Sequence, residues 1–497
     1  MQRIARIDPV KYSRSVCAFS RRTLSPMIRR VVPVSMLFLL LALGLAQPQG
    51  SSTLVLIHTN DMHGQVLPRD GVGGLAQLGT VIRRENPDFI LDGGDLFTGT
   101  MASDEFFGKP MIEIMNRLRY SAVALGNHEF DYGLPELRSR LKEARFPMLS
   151  ANVTGVEEVR PYTILNVKGI RIGVIGLTVE NLANLTHKKN LKTITVTPAV
   201  DALRDTLPKV RPLSDFVVLV AHLSFEEQVR VAQAFPEIRL IVAGHPHVAR
   251  ATQVGQTLIV ETGSRLENVG KVEIRLSGKT PEFMSSQIIP LSGIPPDQEI
   301  QSLIAPYEKT ILARASEKLG EARVEFRKSD SEESPLNNLV ADSLRETGKT
   351  QIGLHNIGGI RSTLRRGPIT RGDVFEVMPF YDTVVTMNLT GQQIRQTLGR
   401  RVLAISGLRV TWDLSRAWPN QVVSVSLANG QPLQDSARYS VAVNDYMAAG
   451  GDGLEELTKG TSVEDTGILI RDAIASYMKT RPTISAATDG RVTIRGR

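Results

Sequence analysis

The chain has 497 residues, of which 42% are hydrophobic and 22% are charged, as is usual for a folded protein of two or three domains. This composition excludes a disordered chain, a collagen and a protein with many membrane spans. The formal net charge of +8 suggests an anionic partner, but residues 1–46 hold eight basic residues and one acidic residue and so carry nearly all of this charge. The nearly neutral remainder argues against a nucleic-acid partner.

Residues 1–46 are predicted to be a signal peptide. Their basic segment is followed by an uncharged run, residues 31–46, which is shorter than a membrane span and ends in small residues like a cleavage site. We expect a mature protein that begins near Gln47 in the periplasm, on the cell surface or outside the cell, without stable membrane insertion. An uncleaved N-terminal anchor is the alternative. Translation from Met27 gives a more compact leader, and residues 20–24 allow twin-arginine export instead of ordinary secretion.

Cysteine chemistry is excluded from the mature protein. Cys17, the single cysteine of the sequence, lies inside the predicted signal peptide. The mature chain therefore has no disulfide, no thiolate metal site and no cysteine nucleophile.

Short apolar runs alternate with helical patterns in residues 52–294. Near-continuous runs of Val, Ile and Leu are typical of strands that are buried on both faces. We predict strands over residues 54–58, 89–92, 122–125, 171–176, 216–221, 240–243 and 258–261. Helices are predicted over residues 75–84 and 136–144. This order predicts a layered α/β domain.

A linker helix is predicted over residues 295–320, where apolar residues recur at helical spacing after a turn-rich stretch. Pro306 lies inside it, so we expect the helix either to begin near Ala305 or to be kinked at the proline. Residues 321–497 form a second α/β domain. Its predicted helices are 336–346, 391–398 and 467–479, and its predicted strands are 383–389, 422–427 and 438–443.

Residues with metal-binding side chains follow five of the predicted strands. They are Asp61, His63, Asp95, Asn127, His128, His222, His245 and His247. Because ligands bind at the carboxyl ends of strands in open α/β sheets, we expect these side chains to meet. Carboxylates, a carboxamide and imidazoles suit two divalent ions such as Zn²⁺, Mn²⁺ or Mg²⁺, and Asp95 is the natural bridge between them.

A single histidine at a strand end is more often structural than functional. Here five of the eight histidines follow predicted strands, which favours a shared site. His58 lies within the first strand and is expected to be a hydrogen-bonded core residue. His187 and His355 are not expected to be metal ligands.

The motifs TNDMHG (59–64), GGDLF (93–97), GNHEFD (126–131), AHLS (221–224) and GHPH (244–247) resemble the calcineurin-like metallophosphoesterase domain of the 5′-nucleotidase family. NIGGIR (356–361), MPFYDT (378–383) and AAGGDG (448–453) extend the resemblance to that family's second domain. The resemblance implies a four-layer sandwich, a linker helix and an α/β substrate-binding domain.

The resemblance also implies two metal sites that share one ligand. The first would be formed by Asp61, His63, Asp95 and His247, and the second by Asp95, Asn127, His222 and His245. His128 would be the catalytic imidazole. Asp131, three residues later, can bond one ring nitrogen of His128, so that the imidazole is oriented and its protonated form is favoured.

In the second domain the resemblance implies a nucleotide site. Its residues would be Asn356, Gly358, Gly359, Arg361, Phe380, Tyr446 and Asp452. The arginine, helped by the asparagine, would bind phosphate oxygens, and the glycines would allow close approach of the backbone. The rings of Phe380 and Tyr446 would stack on the base, and Asp452 would accept hydrogen bonds from the ribose hydroxyls. Phe380 as an ordinary core residue and Asp452 as a turn residue are the alternatives.

One departure from the family pattern concerns phosphate binding. Asp330 stands where family members commonly have an arginine, and Asn337 stands where glycine is usual. Arg323 or Arg327 could supply the missing charge. The departure bears on nucleotide affinity and leaves the metal ligands unaffected.

The sequence therefore predicts an exported two-metal hydrolase that releases phosphate from nucleoside 5′-monophosphates, with nucleotide sugars as further candidate substrates. A 2′,3′-cyclic-nucleotide phosphodiesterase and a thiosulfohydrolase are alternatives on the same scaffold. A nuclease is disfavoured by the low charge. A non-catalytic protein that retains the metals is the alternative from another class, against which the pairing of His128 with Asp131 argues.

Overall fold

The computed structural model describes residues 52–69, 71–417, 419–485 and 488–496. The predicted signal peptide, residues 1–46, lies outside this part of the chain. Within these residues no helix combines the length and the apolar character that a membrane crossing requires. The described residues form a first domain, a linker helix and a second domain.

The strands of the first domain are β1 (Ser52–Thr59), β2 (Phe89–Asp92), β3 (Ala122–Ala124), β4 (Met148–Leu149), β5 (Val153–Thr154), β6 (Tyr162–Val167), β7 (Ile170–Thr178), β8 (Thr195–Val196), β9 (Phe216–His222), β10 (Leu240–Gly244), β11 (Ala249–Val254), β12 (Thr257–Thr262), β13 (Asn268–Ser277) and β14 (Thr280–Pro290). Its helices are α1 (Leu75–Glu85), α2 (Met101–Asp104), α3 (Lys109–Leu118), α4 (Leu134–Glu143), α5 (Ala199–Val210) and α6 (Phe225–Ala234). Each of the seven predicted strands and both predicted helices of this domain are present.

Two six-stranded sheets form the centre of the first domain, in the orders β14-β13-β1-β2-β3-β4 and β11-β12-β10-β9-β7-β6. Their inner faces pack together through a buried apolar cluster that includes Leu56, Leu91, Val174 and Val242. Helices α1 and α3 contribute to the core outside the first sheet, and α5 and α6 to the core outside the second. The predicted four-layer sandwich is confirmed.

Parallel pairing places the ends of the central strands together. Strand β1 pairs in parallel with β2, and β2 with β3. In the second sheet β9 pairs in parallel with β7 and β10. The loops that follow β1, β2 and β3 therefore leave one edge of the first sheet, and those after β9 and β10 leave one edge of the second.

The linker helix α7 (Gln298–Ala315) belongs largely to the first domain's core. Asp297 caps it by accepting hydrogen bonds from the backbone N–H groups of Glu299 and Ile300, and Pro306 lies inside it. The expected start near Ala305 is wrong, because the cap and the burial of Ile300 and Ile304 outweigh the single hydrogen bond that proline removes.

The strands of the second domain are β15 (Lys318–Ala322), β16 (Ile352–Asn356), β17 (Gly367–Thr370), β18 (Thr383–Thr390), β19 (Leu403–Ser406), β20 (Leu408–Asp413), β21 (Val422–Leu427), β22 (Arg438–Asn444), β23 (Thr461–Leu469), β24 (Thr483–Ile484) and β25 (Val492–Arg495). Its helices are α8 (Pro335–Gly348), α9 (Arg371–Val377), α10 (Gly391–Arg400), α11 (Asp445–Ala448) and α12 (Ile470–Lys479).

A five-stranded sheet in the order β19-β16-β22-β18-β23 organises the second domain. Helices α8 and α12 share one apolar cluster with this sheet, and α10 shares another. The predicted helix over residues 467–479 begins too early, because Gly467 to Leu469 complete strand β23. There Thr383 pairs with Leu469, which holds the segment extended until Ile470.

Ion pairs join the two domains at several points. They connect Arg69 with Glu376, Asp104 with Arg471, His187 with Asp445, and Lys189 with Asp465. Asp104 and Arg471 lie 3.0 Å apart and their side chains are 2% and 12% exposed, so this pair is largely removed from water.

Candidate active site

The loops after β1, β2 and β10 bring four of the predicted ligands together. Ligand atoms of Asp61, His63, Asp95 and His247 all lie within 4.8 Å of one another. The Nε2 atom of His247 is 3.2 Å from Oδ1 of Asp61 and 2.9 Å from Nε2 of His63. The two carboxylates are fully buried, whereas the His247 side chain is 48% exposed. This cluster is therefore reachable from solvent on the His247 side.

A second cluster shares Asp95 with the first. Asp95, His222 and His245 also have ligand atoms within 4.8 Å of one another. The Nε2 atom of His222 lies 3.1 Å from Oδ2 of Asp95 and 3.1 Å from Oδ1 of Asn127. The structure thus places all seven predicted ligands in two adjoining groups, with Asp95 common to both.

The chemistry of these donors fits divalent cations. Nδ1 of His63 faces the carbonyl oxygen of Thr98 at 3.2 Å, so Nδ1 carries the proton and Nε2 presents a lone pair to the cluster. Burial is the main cause that lowers the pKa of His63 to about 4 and keeps it neutral. A cation between Nε2 of His63 and Nε2 of His247 would satisfy both nitrogens.

His222 shows how strongly the second group attracts positive charge. Burial alone lowers the pKa of its imidazole, but the Asp95 carboxylate outweighs burial and raises the pKa to about 9. Nδ1 of His222 is fixed by the carbonyl oxygen of Gly93 at 3.0 Å, so Nε2 is the atom that faces Asp95 and Asn127. A divalent ion would meet the same demand for charge.

The candidate ligands have unusual backbone conformations. Positive φ angles occur at Asp61 (50°), His63 (46°), Asp95 (60°), His245 (93°) and His247 (58°). Only a few per cent of non-glycine residues adopt this region, and such strain concentrates at functional sites. Backbone hydrogen bonds across the sheet edge, from Asp61 to Gly94 and from His63 to Asp95, hold two of these residues in place.

The predicted catalytic imidazole is oriented by its predicted partner. Nδ1 of His128 lies 2.6 Å from Oδ2 of Asp131, and the His128 side chain is 27% exposed. Burial opposes protonation, but the charges of Asp131 and Asp95 raise the pKa of His128 to about 10. Nε2 of His128, 4.0 Å from Asp95, points toward the metal-ligand cluster and is free to donate a proton there.

Two residues that the sequence analysis did not single out hold this arrangement together. Glu129 accepts hydrogen bonds from the backbone N–H groups of Asp95, Leu96 and Gly126, and so ties the loops after β2 and β3. Asn60 donates to Asp61 at 2.7 Å and accepts from the backbone of Thr262. Asn60 lies in the motif TNDMHG and Glu129 in the motif GNHEFD, but their roles depend on backbone groups that are distant in sequence.

The remaining histidines, His58, His187 and His355, lie outside the two candidate ligand groups. His58 is buried, as expected of a core residue, and its Nδ1 atom has no hydrogen-bond partner among the described residues. Burial lowers its pKa to about 3. His355 is buried in the second domain beside Asn444. His187 pairs with Asp445, with Nδ1 and Oδ2 2.7 Å apart.

In the second domain, three of the predicted substrate residues form one hydrogen-bonded group. Asn356 donates to Asp452 at 2.9 Å, and the Tyr446 hydroxyl accepts from the backbone N–H of Asp452 at 3.2 Å. Asp452 also pairs with Arg401 at 2.9 Å. Its φ of 59° shows that it is a turn residue as well as a member of this group.

Arg361 and Phe380 form the other part of the predicted nucleotide site. The Arg361 guanidinium carbon lies 5.8 Å from the centre of the Phe380 ring, and Phe380 is 40% exposed. The alternative that Phe380 is a core residue is therefore wrong. Nη1 of Arg361 donates to the carbonyl oxygen of Gly358. At Gly359 a Cβ atom would lie 2.7 Å from the His355 ring, so glycine is required there.

Residues next to the two predicted base-stacking rings contact the loops beside His128. Tyr381, which follows Phe380, packs edge-on against Tyr132 with ring centres 5.1 Å apart. Asp445, which precedes Tyr446, pairs with His187. The segments that carry Phe380 and Tyr446 therefore contact the loops beside His128.

Arg323 and Arg327 lie on the surface. They are the candidates to replace the arginine that family members commonly have where this chain has Asp330. Arg327 is exposed and its guanidinium is 2.7 Å from Glu325, and Arg323 is exposed as well. Lys328 instead donates to the carbonyl oxygen of Ile360 at 2.8 Å, beside Arg361. The pairing of Arg327 with Glu325 argues against its use for phosphate.

Known proteins share this architecture over nearly the whole chain. The family model for calcineurin-like phosphoesterases matches residues 54–249, and that for the C-terminal domain of 5′-nucleotidases matches residues 311–459. The crystal structure of a 5′-nucleotidase precursor from Thermus thermophilus is 30% identical, covers 90% of this chain and 100% of that chain, and superposes with a TM-score of 0.72. The chain belongs to the 5′-nucleotidase family.

As a member of the 5′-nucleotidase family, the protein is a metal-dependent phosphoester hydrolase. It is similar to the human 5′-nucleotidase, with 26% identity over 91% of this chain and 93% of the human protein. It is also 27% identical to the endonuclease YhcR of Bacillus subtilis over 81% of this chain, but it spans only 37% of that longer protein.

Proposed function

We propose that this member of the 5′-nucleotidase family is an exported enzyme that releases phosphate from nucleoside 5′-monophosphates and accepts nucleotide sugars as further substrates. The observation that carries the proposal is the apposition of two surfaces. The contacts of Tyr132 with Tyr381 and of His187 with Asp445 set the loops that carry Phe380 and Tyr446 against those beside His128. A ligand with a phosphate at one end and a flat base at the other fits such a pair of surfaces.

Two divalent ions, Zn²⁺, Mn²⁺ or Mg²⁺, are the proposed cofactors. Asp61, His63, Asp95 and His247 would hold one, and Asp95, Asn127, His222 and His245 the other. When bound, such ions neutralise phosphate charge and activate water as a nucleophile. The carboxylate of Asp95, shared by both groups, keeps the two sites at a fixed separation.

His128 is the proposed proton donor and charge stabiliser. Since Asp131 holds Nδ1, the proton on Nε2 is the one that can reach the phosphate oxygens or the leaving oxygen. Asp131 is itself held by the hydroxyls of Thr98 at 2.7 Å and Thr186 at 2.9 Å. The imidazole is therefore oriented before substrate arrives, so little reorganisation is needed in the transition state.

The second domain is proposed to recognise the nucleoside. Phe380, partly exposed, and Tyr446, half buried, would stack on the base. Asp452 would give up its hydrogen bond with Asn356 or its ion pair with Arg401 and accept hydrogen bonds from the ribose hydroxyls instead. The guanidinium of Arg361 donates to one backbone carbonyl among the described residues and has donors left for phosphate oxygens.

The test is a comparison of substrates with the protein freed of metal and then reloaded with Zn²⁺, Mn²⁺ or Mg²⁺. Phosphate release should be fastest with nucleoside 5′-monophosphates and should vanish after chelation. Efficient cleavage of 2′,3′-cyclic nucleotides, thiosulfate esters or DNA, together with inert 5′-monophosphates, would overturn the proposal. N-terminal sequencing of the native protein should find a start near Gln47 in the exported fraction, and an intact Met1 or Met27 on cytoplasmic protein would contradict export.

A further inference from the structure

The turn between β12 and β13 carries an arginine beside the metal-ligand cluster. The backbone N–H of Arg265 donates to the carbonyl oxygen of Asp61 at 2.7 Å, and Arg265 has a φ of 53°. The next residue, Leu266, is 2% exposed and also has a positive φ. The backbone of this turn is thus fixed against the loop that carries a candidate metal ligand.

The side chain of Arg265 extends along the same loop cluster. Its Nη1 atom is 3.4 Å from the carbonyl oxygen of Gly99. Gly99 itself touches His63 so closely that a Cβ atom would lie 2.9 Å from the His63 carbonyl oxygen. The guanidinium therefore lies next to the residues that hold His63, at the edge of the first metal-ligand group.

Arg265 has positive neighbours and no ion pair with a carboxylate among the described residues. Burial and the charges of Arg69 and Arg361 lower the pKa of Arg265, while the carboxylates of Glu376 and Glu267 act in the opposite direction. Of these two carboxylates, Glu376 is already bonded to Arg69 at 2.6 Å, and Glu267 forms no ion pair with Arg265 among the described residues. A half-buried guanidinium with like-charged neighbours is costly unless an anion joins it.

Arg361 approaches this charge from the second domain and likewise forms no ion pair with a described carboxylate. Among the described residues, the guanidinium of Arg361 makes one hydrogen bond, to the carbonyl oxygen of Gly358 at 3.1 Å. The backbone N–H of Arg361 donates to the carbonyl oxygen of Val377, the residue after Glu376, so Arg361 lies beside the Arg69–Glu376 pair. Both arginines act on the charge of Arg265, so guanidinium groups from the two domains lie near one another at this edge of the candidate site. Their fork-shaped donors match the oxygens of a phosphate.

We propose that Arg265 binds the substrate phosphate together with Arg361, so that each domain contributes one arginine to a phosphate clamp. The inference rests on the proposed function, because that function supplies the phosphate. Arg265 would thereby take the place of the family arginine for which Asp330 stands. Because the two arginines belong to different domains, a phosphate bound by both would draw the two domains together when substrate binds.

The experiment compares R265Q and R265K with wild type, and uses R204Q, at an exposed arginine of α5, as the control. Affinity for inorganic phosphate is measured by calorimetry on the metal-loaded protein, and metal content by elemental analysis. We expect R265Q to weaken phosphate binding by about 10- to 100-fold, with full metal content and a raised KM. R265K should retain part of the affinity, and R204Q should match wild type.

Unchanged phosphate affinity in R265Q would overturn the clamp. Equal losses in R265Q and R265K accompanied by loss of metal would also overturn it, because they would show that the side chain only supports the loop at Gly99. A double variant with R361Q adds a check, since two arginines on one phosphate should give non-additive losses. If wild type leaves nucleotides intact but its phosphate affinity still depends on Arg265, the clamp stands and the proposed function fails.

Discussion

Nδ1 of His187 lies 2.7 Å from Oδ2 of Asp445, and this ion pair joins the first domain to the residue that precedes Tyr446. The neighbours of His187 contact the segment that orients His128, the proposed catalytic imidazole. Thr186 donates to the Asp131 carboxylate, and Asn190 donates to the carbonyl oxygens of Phe130 and Asp131. The segment 186–190 therefore touches the second domain on one side and the partner of His128 on the other.

This relationship predicts a pH-dependent contribution to stability. Burial alone lowers the pKa of His187, but the hydrogen bond and charge of Asp445 raise it to about 9. Because the folded pKa exceeds that of the unfolded chain, the contribution is complete below about pH 6.5 and is lost as pH rises toward 9. Asp382 faces the same pair, and burial and the charge of Asp445 raise its pKa to about 7. Asp382 therefore also loses its proton as pH rises.

We expect H187N to unfold more easily than wild type at pH 6, by an amount on the order of 2 kcal/mol, and the difference to shrink toward pH 9. Denaturant unfolding of wild type and H187N between pH 6 and pH 9 measures this difference in the free energy of unfolding. H58N changes a buried histidine away from the interdomain contact and serves as the comparison. A destabilisation by H187N that grows with pH would contradict the assigned charge state.

Metal binding and proton transfer should be separable by mutation. D95A should lose both metals and all activity, because Asp95 belongs to both ligand groups. H128A should keep its metals and lose about 10²- to 10⁴-fold in kcat. Elemental analysis beside a rate assay distinguishes the two, and a fully metallated D95A or a fast H128A would refute these roles.

Glu129 should matter to the fold of the site before any metal binds. Burial is the largest cause of its raised pKa, about 8, yet its oxygens accept three backbone N–H groups at 2.6 to 3.1 Å. Above about pH 8, where Glu129 is ionised, E129Q turns one acceptor oxygen into a donor and should destabilise the chelated protein by about 1 to 3 kcal/mol. Thermal unfolding in chelator measures this. If E129Q is as stable as wild type, Glu129 does not tie the two loops.

The proposed base stack predicts a loss that depends on substrate. F380A combined with Y446A should lower kcat/KM for a nucleoside monophosphate by about 10- to 100-fold, since stacking is worth roughly 1 to 3 kcal/mol per base. A small aryl phosphate cannot reach both rings and should lose much less. Equal losses on the two substrates would mean that these residues support the fold and do not bind the base.

The parts of the molecule predicted from sequence are those with a local signal. The central strands are continuous apolar runs, and parallel pairing sends their ends to one place, so the grouping of Asp61, Asp95 and His222 followed from strand order. The start of α7 had a local signal that was missed, because Asp297 is a favoured N-cap residue. Strands β13 and β14 were missed although β13 alternates buried and exposed residues over part of its length.

Other features could not be found in this way because they depend on distant contacts. Arg265 is an unremarkable residue in a turn until its backbone meets Asp61 and its neighbours prove to be Arg69 and Arg361. His187 gave no signal because its partner, Asp445, is 258 positions later in the sequence. Such interdomain contacts have no periodicity that a single sequence could reveal.

The packing of helix α7 decides where this protein can be cut. Ile300, Ile304 and Ile311 are buried in the same cluster as residues of α1 and α3. A fragment ending at residue 249 would lack β13, the neighbour of β1, and one ending at residue 294 would expose the apolar surface that α7 covers. A stable first-domain fragment should therefore extend to Ala315, and a protease that separates the domains should act on the short segment between that residue and β15.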